Sequence, residues 1–399
     1  MLRSHIVDYL IVFGVAAVAT FGLTPLARRW ACKVGAVVHP DERRVHTRPT
    51  PTLGGAALFY GMLAGLLVAA FRPSLRAVIT SSSELWGVLF GAVAIFGVGT
   101  IDDLRDVSPP AKMAGQALAG SLLSLFGVTM LYLRLWPTDH FVSLGTGGGD
   151  LSSLITVVWV IGMANAINLI DGLDGLAAGI VAIAAGSIFL FMYGFSGAGL
   201  LSETSIGPLV IAITAGICVG FLPWNFFPAK IFMGDGGAML LGFLMAASTI
   251  VIGGRSPDLF PGKTFFFFGP ILIPLVILGI PLIDMAFSIV RRVGARRSWS
   301  KGDKEHIHHR LLRMGHGHRR AVLILYAWSL VLSGIVLIPA FTGKGNFMVL
   351  LAVIAAALGL FTYLAANRDE NGNGESPAAS STNVDVDVAT DEPLVDVNE

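Results

Sequence analysis

Long apolar runs separated by short polar segments fill the chain to about residue 365. The pattern predicts eleven membrane-spanning helices, approximately 5–27, 53–71, 85–101, 112–132, 151–167, 176–194, 206–222, 237–254, 265–290, 320–341 and 347–365. Each run approaches the ~20 residues that cross the hydrocarbon of a bilayer. No ten-residue stretch alternates apolar and polar positions as a barrel strand would, and a helix is the other way to satisfy every backbone group in lipid. The expected fold is therefore all-α, a polytopic integral membrane helical bundle. Composition agrees and excludes a chain of soluble domains: 54% of residues are hydrophobic and 13% charged, with a mean hydropathy of +0.74, well away from soluble averages.

Charge sets the expected orientation. Of 27 lysines and arginines, 20 fall on the side reached after the first span, including Arg28, Arg29, Lys33, Lys112, Lys230 and ten residues between Arg291 and Arg320. The other side holds seven. The positive-inside rule makes the first side cytoplasmic, with the N-terminus outside and the C-terminus inside, as an odd number of spans requires. Ala17-Val18-Ala19 resembles a signal-cleavage site but lies within a continuous apolar run, so the first span is expected to stay attached. The segment 367–399 is polar, with nine acids against Arg368, and reads as a disordered cytoplasmic tail following a membrane domain over 1–366. Without it the chain carries 26 basic and 17 acidic residues. The near-neutral total thus hides a basic membrane body suited to anionic substrates or headgroups.

The polar stretches that interrupt the pattern all fall on the predicted cytoplasmic side. They are PDERRVHTRPTPTLGG (Pro40 to Gly55), TIDDLRDVSPPAK (Thr100 to Lys112), NLIDGLDG (Asn168 to Gly175), PWNFFPAKIFMGDGG (Pro223 to Gly237) and a basic segment from Arg291 to Arg320. Carboxylates beside hydrocarbon are expensive and mark functional positions. Asp102, Asp103 and Asp106 form D-D-x-x-D, whose mutual repulsion a divalent cation or a bound proton would relieve. A solvated helix end would carry the same residues, and Asp106 fits that reading best. Asn168, Asp171 and Asp174 recur at i, i+3 and i+6, one face of a helix, with Gly172 and Gly175 permitting a turn or a close approach. The spacing does not match an EF-hand loop, and a capped helix start is the plainer alternative.

Asp235, in FMGDGG, precedes the eighth predicted span. Its glycine neighbours expose N–H groups at a helix N-terminus, which suits phosphate, while the carboxylate suits Mg²⁺. Phe232 offers a ring to a base or to membrane packing. Lys112 and Lys230 either meet phosphate or snorkel toward headgroups. His306, His308 and His309 cluster with Arg310; zinc would want four separated ligands, often with cysteine, so the basic surroundings favour an anion. Asp284, inside the ninth predicted span, reads as a carboxylate paired with another helix. Cys32 and Cys218 fall in a loop and a span, and no disulfide is expected.

These residues describe phosphoryl chemistry at a membrane surface, with Mg²⁺ neutralising a diphosphate. The series RRVHTRPTPTLGG, DDLRD, NLIDGLDGLAAG, PAKIFMGDGG and HIHHRLL resembles the polyprenyl-phosphate N-acetylhexosamine-1-phosphate transferases. This is the WecA/TagO branch of a family that also holds MraY, the phospho-MurNAc-pentapeptide transferase. H-x-H-H-R from His306 and H-T-R-P-T-P from His46 look like the first branch; MraY proteins show three consecutive histidines at the former position.

The resemblance implies transfer of a sugar 1-phosphate, GlcNAc-1-phosphate by default, from a UDP-N-acetylhexosamine to undecaprenyl or decaprenyl phosphate. UMP is released, in the first membrane step of cell-envelope polysaccharide synthesis. It implies Mg²⁺, or Mn²⁺ in its place, held by Asp235 with Asp102 and Asp103, one of the pair acting as base on the lipid phosphate. Asn168, Asp171, Asp174 and Phe232 match positions around the nucleotide. His46, Lys112, Asn225 and Arg310 are further substrate-binding candidates, and His306, His308 and His309 match a catalytic loop that closes over the substrate. The implied setting is the plasma membrane, multi-pass, with the active site on the cytoplasmic face. A homodimer is among the assemblies it allows, and no nucleic acid is implied.

A phosphate monoester has a second pKa near ~6, so the lipid phosphate is largely ionised at pH 7. Asp102 or Asp103 can then position metal or lipid without accepting a proton, and direct attack and an aspartyl-phosphate route both stay open. A transporter would instead place ionisable residues near the midplane, often in two related halves. A metal-binding scaffold would need the histidine loop without the acidic motifs.

Overall fold

The computed structural model describes residues 5–39, 49–134, 141–144, 151–195, 204–253, 278–279, 282, 285–286, 311, 316–342 and 347–372. Eleven helices appear among them: α1 (Ile6–Lys33), α2 (Gly55–Phe71), α3 (Pro73–Thr80), α4 (Glu84–Arg105), α5 (Pro109–Leu125), α6 (Leu151–Ile170), α7 (Leu176–Phe195), α8 (Gly207–Asn225), α9 (Gly234–Gly253), α10 (His318–Thr342) and α11 (Phe347–Gly372). Ten of the predicted spans coincide with a helix. The span expected at 265–290 lies almost wholly outside the described residues, as do His46, Asp284, His306, His308, His309 and Arg310.

Seven of these helices, α1, α4 and α6 to α10, are long and apolar enough to cross a bilayer. The protein is thus a multi-pass, mostly helical membrane protein. α2 and α3 together would make an eighth span, but the chain turns by 110° between them. Pro73 starts α3 at a position where its missing N–H costs nothing. Arg72 and Ser74, at that corner, both hydrogen-bond the Asp8 carboxylate near the start of α1.

Small differences from the expected spans share one cause. Apolar runs mark the extent of hydrocarbon, whereas helices continue while backbone bonds can be made. α1 thus runs past Arg28 and Arg29 to Lys33, α4 past Asp102 and Asp103, and α6 past Asn168. α11 continues to Gly372, beyond the boundary drawn at 366. Conversely, α5 stops at Leu125, and the chain beyond Gly127 (φ +97°) enters a strand rather than finishing a span at 132. Two short antiparallel ladders supplement the helices: β1 (Val37–Val38) with β2 (Thr50–Pro51), and β3 (Tyr132–Arg134) with β4 (Phe141–Ser143).

In the bundle, α9 lies at the centre, between α4 and α6 and against α2 and α8, and it is the most enclosed span. α1 packs on α2 and α8, α5 on α4 and α6, α7 on α8 and α10, and α11 on α10. Because lipid is as apolar as a side chain, these contacts depend on close fit rather than on the hydrophobic effect. The α1–α8 seam shows how. Gly216 and Gly220 form a GxxxG pair on α8, and a Cβ at Gly216 would lie 2.5 Å from the Phe13 carbonyl oxygen of α1. A Cβ at Gly220 would overlap the backbone of Ala17.

Candidate active site

Four helices each bring one polar side chain to the same place. Asp102 lies in the last turn of α4, Lys112 in the first turns of α5, Asn168 near the end of α6 and Asp235 in the first turn of α9. Lys112 Nζ donates to Asp102 Oδ2 at 2.9 Å and also pairs with Asp235 Oδ2. Asn168 Nδ2 donates to Asp235 Oδ1 at 2.8 Å, and the Val107 N–H donates to Asp102 Oδ1 at 2.7 Å. Asn168, expected beside the nucleotide, thus contacts the very carboxylate expected to bind Mg²⁺.

Asp103 is used differently from its neighbour. Its two oxygens accept the N–H groups of Asp235 at 2.7 Å and Gly236 at 3.0 Å, capping the exposed N-terminus of α9 from another helix. Gly234 makes this possible: at φ +71° it occupies a region side chains avoid, and a Cβ there would collide with the Asp103 carboxylate. Asp103 therefore fixes where Asp235 stands, while Asp102 and Lys112 face it. Asp106, exposed and left-handed at φ 48°, ends α4, in keeping with its reading as a helix-end residue.

The expectation of a continuous helical face through Asn168, Asp171 and Asp174 is not met. α6 ends at Ile170 and α7 begins at Leu176, so both aspartates lie in the intervening turn, where Gly175 takes φ +79°. Asp171 is half-buried. Burial, with the charges of Asp235, Asp103 and Asp174 adding to it, pushes its carboxyl well above the ordinary range. Asp174 is buried; its Oδ2 accepts the Ala229 N–H at 2.8 Å, and its own N–H donates to His318 Nε2 at 3.0 Å.

Asn225, a substrate-binding candidate, is buried and braces two loops of the site. Its Oδ1 accepts the Gly175 N–H and its Nδ2 donates to the Ile231 carbonyl, both at 3.1 Å. Its amide is thereby spent on tying the 171–175 turn to the loop before Asp235. Tyr326 Oη donates to the Gly175 carbonyl from α10. Phe232 is half-buried, and its backbone pairs with Pro51 and Gly54, which docks the TPTLGG segment on the same loop.

Sequence reading missed a polar layer one turn deeper. Gln116, fully buried, donates to Asn165 Oδ1 at 3.4 Å and accepts from Asn165 Nδ2 at 2.8 Å. Gln116 Nε2 also lies 3.2 Å from Met239 Sδ. These residues stand one helical turn below Lys112, Asn168 and Asp235 respectively. The signal was available, since an amide inside a span is costly unless paired.

The residues present suit Mg²⁺ in one of its usual modes. No group of three His, Cys, Asp or Glu among the described residues encloses a metal, so an all-protein cage is not built. Mg²⁺, however, is commonly held by one or two carboxylates and completed by substrate phosphates. Asp235 and Asp102, with Asn168 alongside, form such a half-site around Lys112.

Residues 85–253, which carry this whole cluster, match the family described as Glycosyl transferase family 4. A decaprenyl-phosphate N-acetylglucosaminephosphotransferase of Mycobacterium leprae is 40% identical over 318 residues, covering 78% of this chain and 79% of that protein. The chain belongs to glycosyl transferase family 4. A probable undecaprenyl-phosphate N-acetylglucosaminyl 1-phosphate transferase of Bacillus subtilis is 34% identical over 357 residues, 89% of this chain and 92% of its own length. A phospho-N-acetylmuramoyl-pentapeptide-transferase of Desulforudis audaxviator is 31% identical over 358 residues, 82% of this chain and 96% of its own. The resemblance read from the five motifs is thus upheld, and within family 4 the N-acetylglucosamine branch stands nearer than the muramoyl-pentapeptide branch.

Proposed function

We propose that this family 4 member transfers GlcNAc-1-phosphate from UDP-GlcNAc to a polyprenyl phosphate and releases UMP. The observation that carries the reading is the meeting of Asp102, Lys112, Asn168 and Asp235 at one helical rim, in a chain 40% identical to a decaprenyl-phosphate N-acetylglucosaminephosphotransferase. An oxygen of the lipid phosphate attacks the β-phosphorus of the donor. A new P–O bond forms as the bond to the bridging oxygen breaks, and that oxygen leaves with UMP. Lys112 lies between the two carboxylates and is placed to meet diphosphate charge. Asp235 and Asp102, with Asn168, would hold Mg²⁺, which when bound would offset the negative charge of the diphosphate. Asp103 holds Asp235 in place through the cap on α9. An ionised lipid phosphate needs no base, so Asp102 serves by position, and direct attack is the simpler route.

In this reading the membrane domain has eleven spans in the plasma membrane, the N-terminus lies outside and the C-terminus inside, and the site faces the cytoplasm. The positive-inside distribution supports that orientation. His306, His308 and His309 with Arg310 are assigned to the donor on the strength of their H-x-H-H-R motif. The test mixes purified protein with Mg²⁺, polyprenyl phosphate and a panel of UDP-sugars and measures UMP. UMP release with UDP-GlcNAc that stops on adding EDTA is expected; release only with UDP-MurNAc-pentapeptide would move the protein to the other branch. Phosphorylated enzyme trapped with UDP-GlcNAc alone would replace direct attack with a covalent route.

A further inference from the structure

A cleft at the C-terminal end of α1 has chemistry opposite to that of the carboxylate cluster and shares none of its residues. Pro25, Arg28, Arg29, Cys32 and Lys33 of α1 and Trp224 of α8 line an open cleft of about 470 Å³, within the ~300–1,000 Å³ of small-molecule sites. Arg28, Arg29 and Lys33 are exposed, and no carboxylate among the described residues pairs with them. The aromatic wall is held firmly. Trp224 Nε1 donates to the Phe21 carbonyl at 3.1 Å, its ring lies 5.5 Å from that of Phe21, and Lys230 Nζ stands 5.1 Å from its centre.

Three cations with no carboxylate partner among the described residues, a tethered indole and a concave wall form a place for an anion at the level of lipid headgroups, where Trp, Lys and Arg gather. The neighbouring surface says which anion. Phe21 and Leu26, 47% and 55% exposed on the same stretch of α1, offer apolar surface that a free phosphate cannot use and an acyl chain can. We propose that this cleft holds the headgroup of one anionic phospholipid, its phosphodiester facing Arg28, Arg29 and Lys33. It differs from ordinary snorkelling in that a single lipid is retained in a shaped site rather than exchanged with the bulk layer.

Native mass spectrometry of the purified full-length protein, supplied with phosphatidylglycerol or phosphatidylcholine in detergent, counts retained lipids. One phosphatidylglycerol is expected to stay bound where phosphatidylcholine washes away. Each of Arg28→Gln, Arg29→Gln and Lys33→Gln should weaken retention about fivefold, as for one charge near an anionic surface, and the triple variant should abolish it. Thermal unfolding of the triple variant checks its fold; should it be unfolded, Lys33→Glu alone, on the exposed last turn, carries the same comparison. Equal retention of phosphatidylcholine, or undiminished phosphatidylglycerol in a folded variant, overturns the proposal. So does displacement by inorganic phosphate, which would assign the cleft to a free anion, or by stoichiometric polyprenyl phosphate, which would assign it to the substrate.

Discussion

Two carboxylate–cation groupings stand at opposite ends of α2, and their difference separates structure from chemistry. At the end of α2, Asp8 meets Arg72, with Arg72 Nε 2.6 Å from Asp8 Oδ1 and Ser74 on the second oxygen. One negative charge meets one positive charge, and the hydrogen bonds are filled. At the start of α2, where Gly55 abuts Gly237, Asp102 and Asp235 share Lys112, and the charges of Asp103 and Asp235 bear on the neighbouring Asp171. A balanced pair holds a corner. An excess of carboxylates at a membrane rim costs stability in the absence of a further cation, and persists where a metal or a bound proton completes it.

The largest effect should come from breaking the unbalanced group. Asp235→Ala is expected to reduce UMP release on the order of 10²–10³-fold, the scale of losing a preorganised electrostatic partner; near-normal release would remove Asp235 from the metal site. Lys112→Met should cost about 10²-fold and Lys112→Arg less, because the arginine keeps the charge but not the point geometry. Next comes the layer beneath. Gln116→Leu or Asn165→Leu removes the amide pair between α5 and α6 and shifts Lys112 and Asn168. We expect about a tenfold fall in kcat with little change in the KM for the donor. A change in KM alone would make the pair part of donor binding instead.

The pH response separates the two ends more finely. The folded-state pKa of Asp171 lies above its unfolded value of 3.8, so its ionised form destabilises the fold, and protonation relieves the cost as pH falls from neutrality toward that value. In EDTA, thermal stability should therefore include a gain on mild acidification that Asp171→Asn lacks. Identical pH profiles for the two proteins would count against that crowding. The smallest effect is expected from Asp8→Asn: about 1 kcal/mol of stability, discounted because Arg72 is 39% exposed, with UMP release unchanged.

The same contrast explains what the sequence revealed. Spans and polar islands were legible because hydrocarbon penalises charge strongly enough to mark the chain. Asp102, Lys112 and Asp235 could be selected on that ground, being polar where polarity is expensive. The division of labour between Asp102 and Asp103 was not legible, since it depends on which oxygen reaches the α9 N-terminus across space. The bracing bonds of Asn225 and Asp174 were not legible either, because buried bracing and ligand binding use the same residue types. For the 171–175 segment a spacing of three fits a helical face and a glycine turn equally, and the positive φ of Gly175 decides for the turn.

The seam between Phe13, Ala16 and Ala17 of α1 and Gly216 and Gly220 of α8 carries a consequence for biosynthesis. Synthesis runs from the N-terminus, so the first helix is made long before the eighth. Its small-residue face must wait in the bilayer while α2 through α7 are inserted, with α2 as its early partner. The seam between α1 and α8 therefore closes only after α8 is inserted, and a ribosome stalled before Gly207 would leave that face of α1 open to lipid.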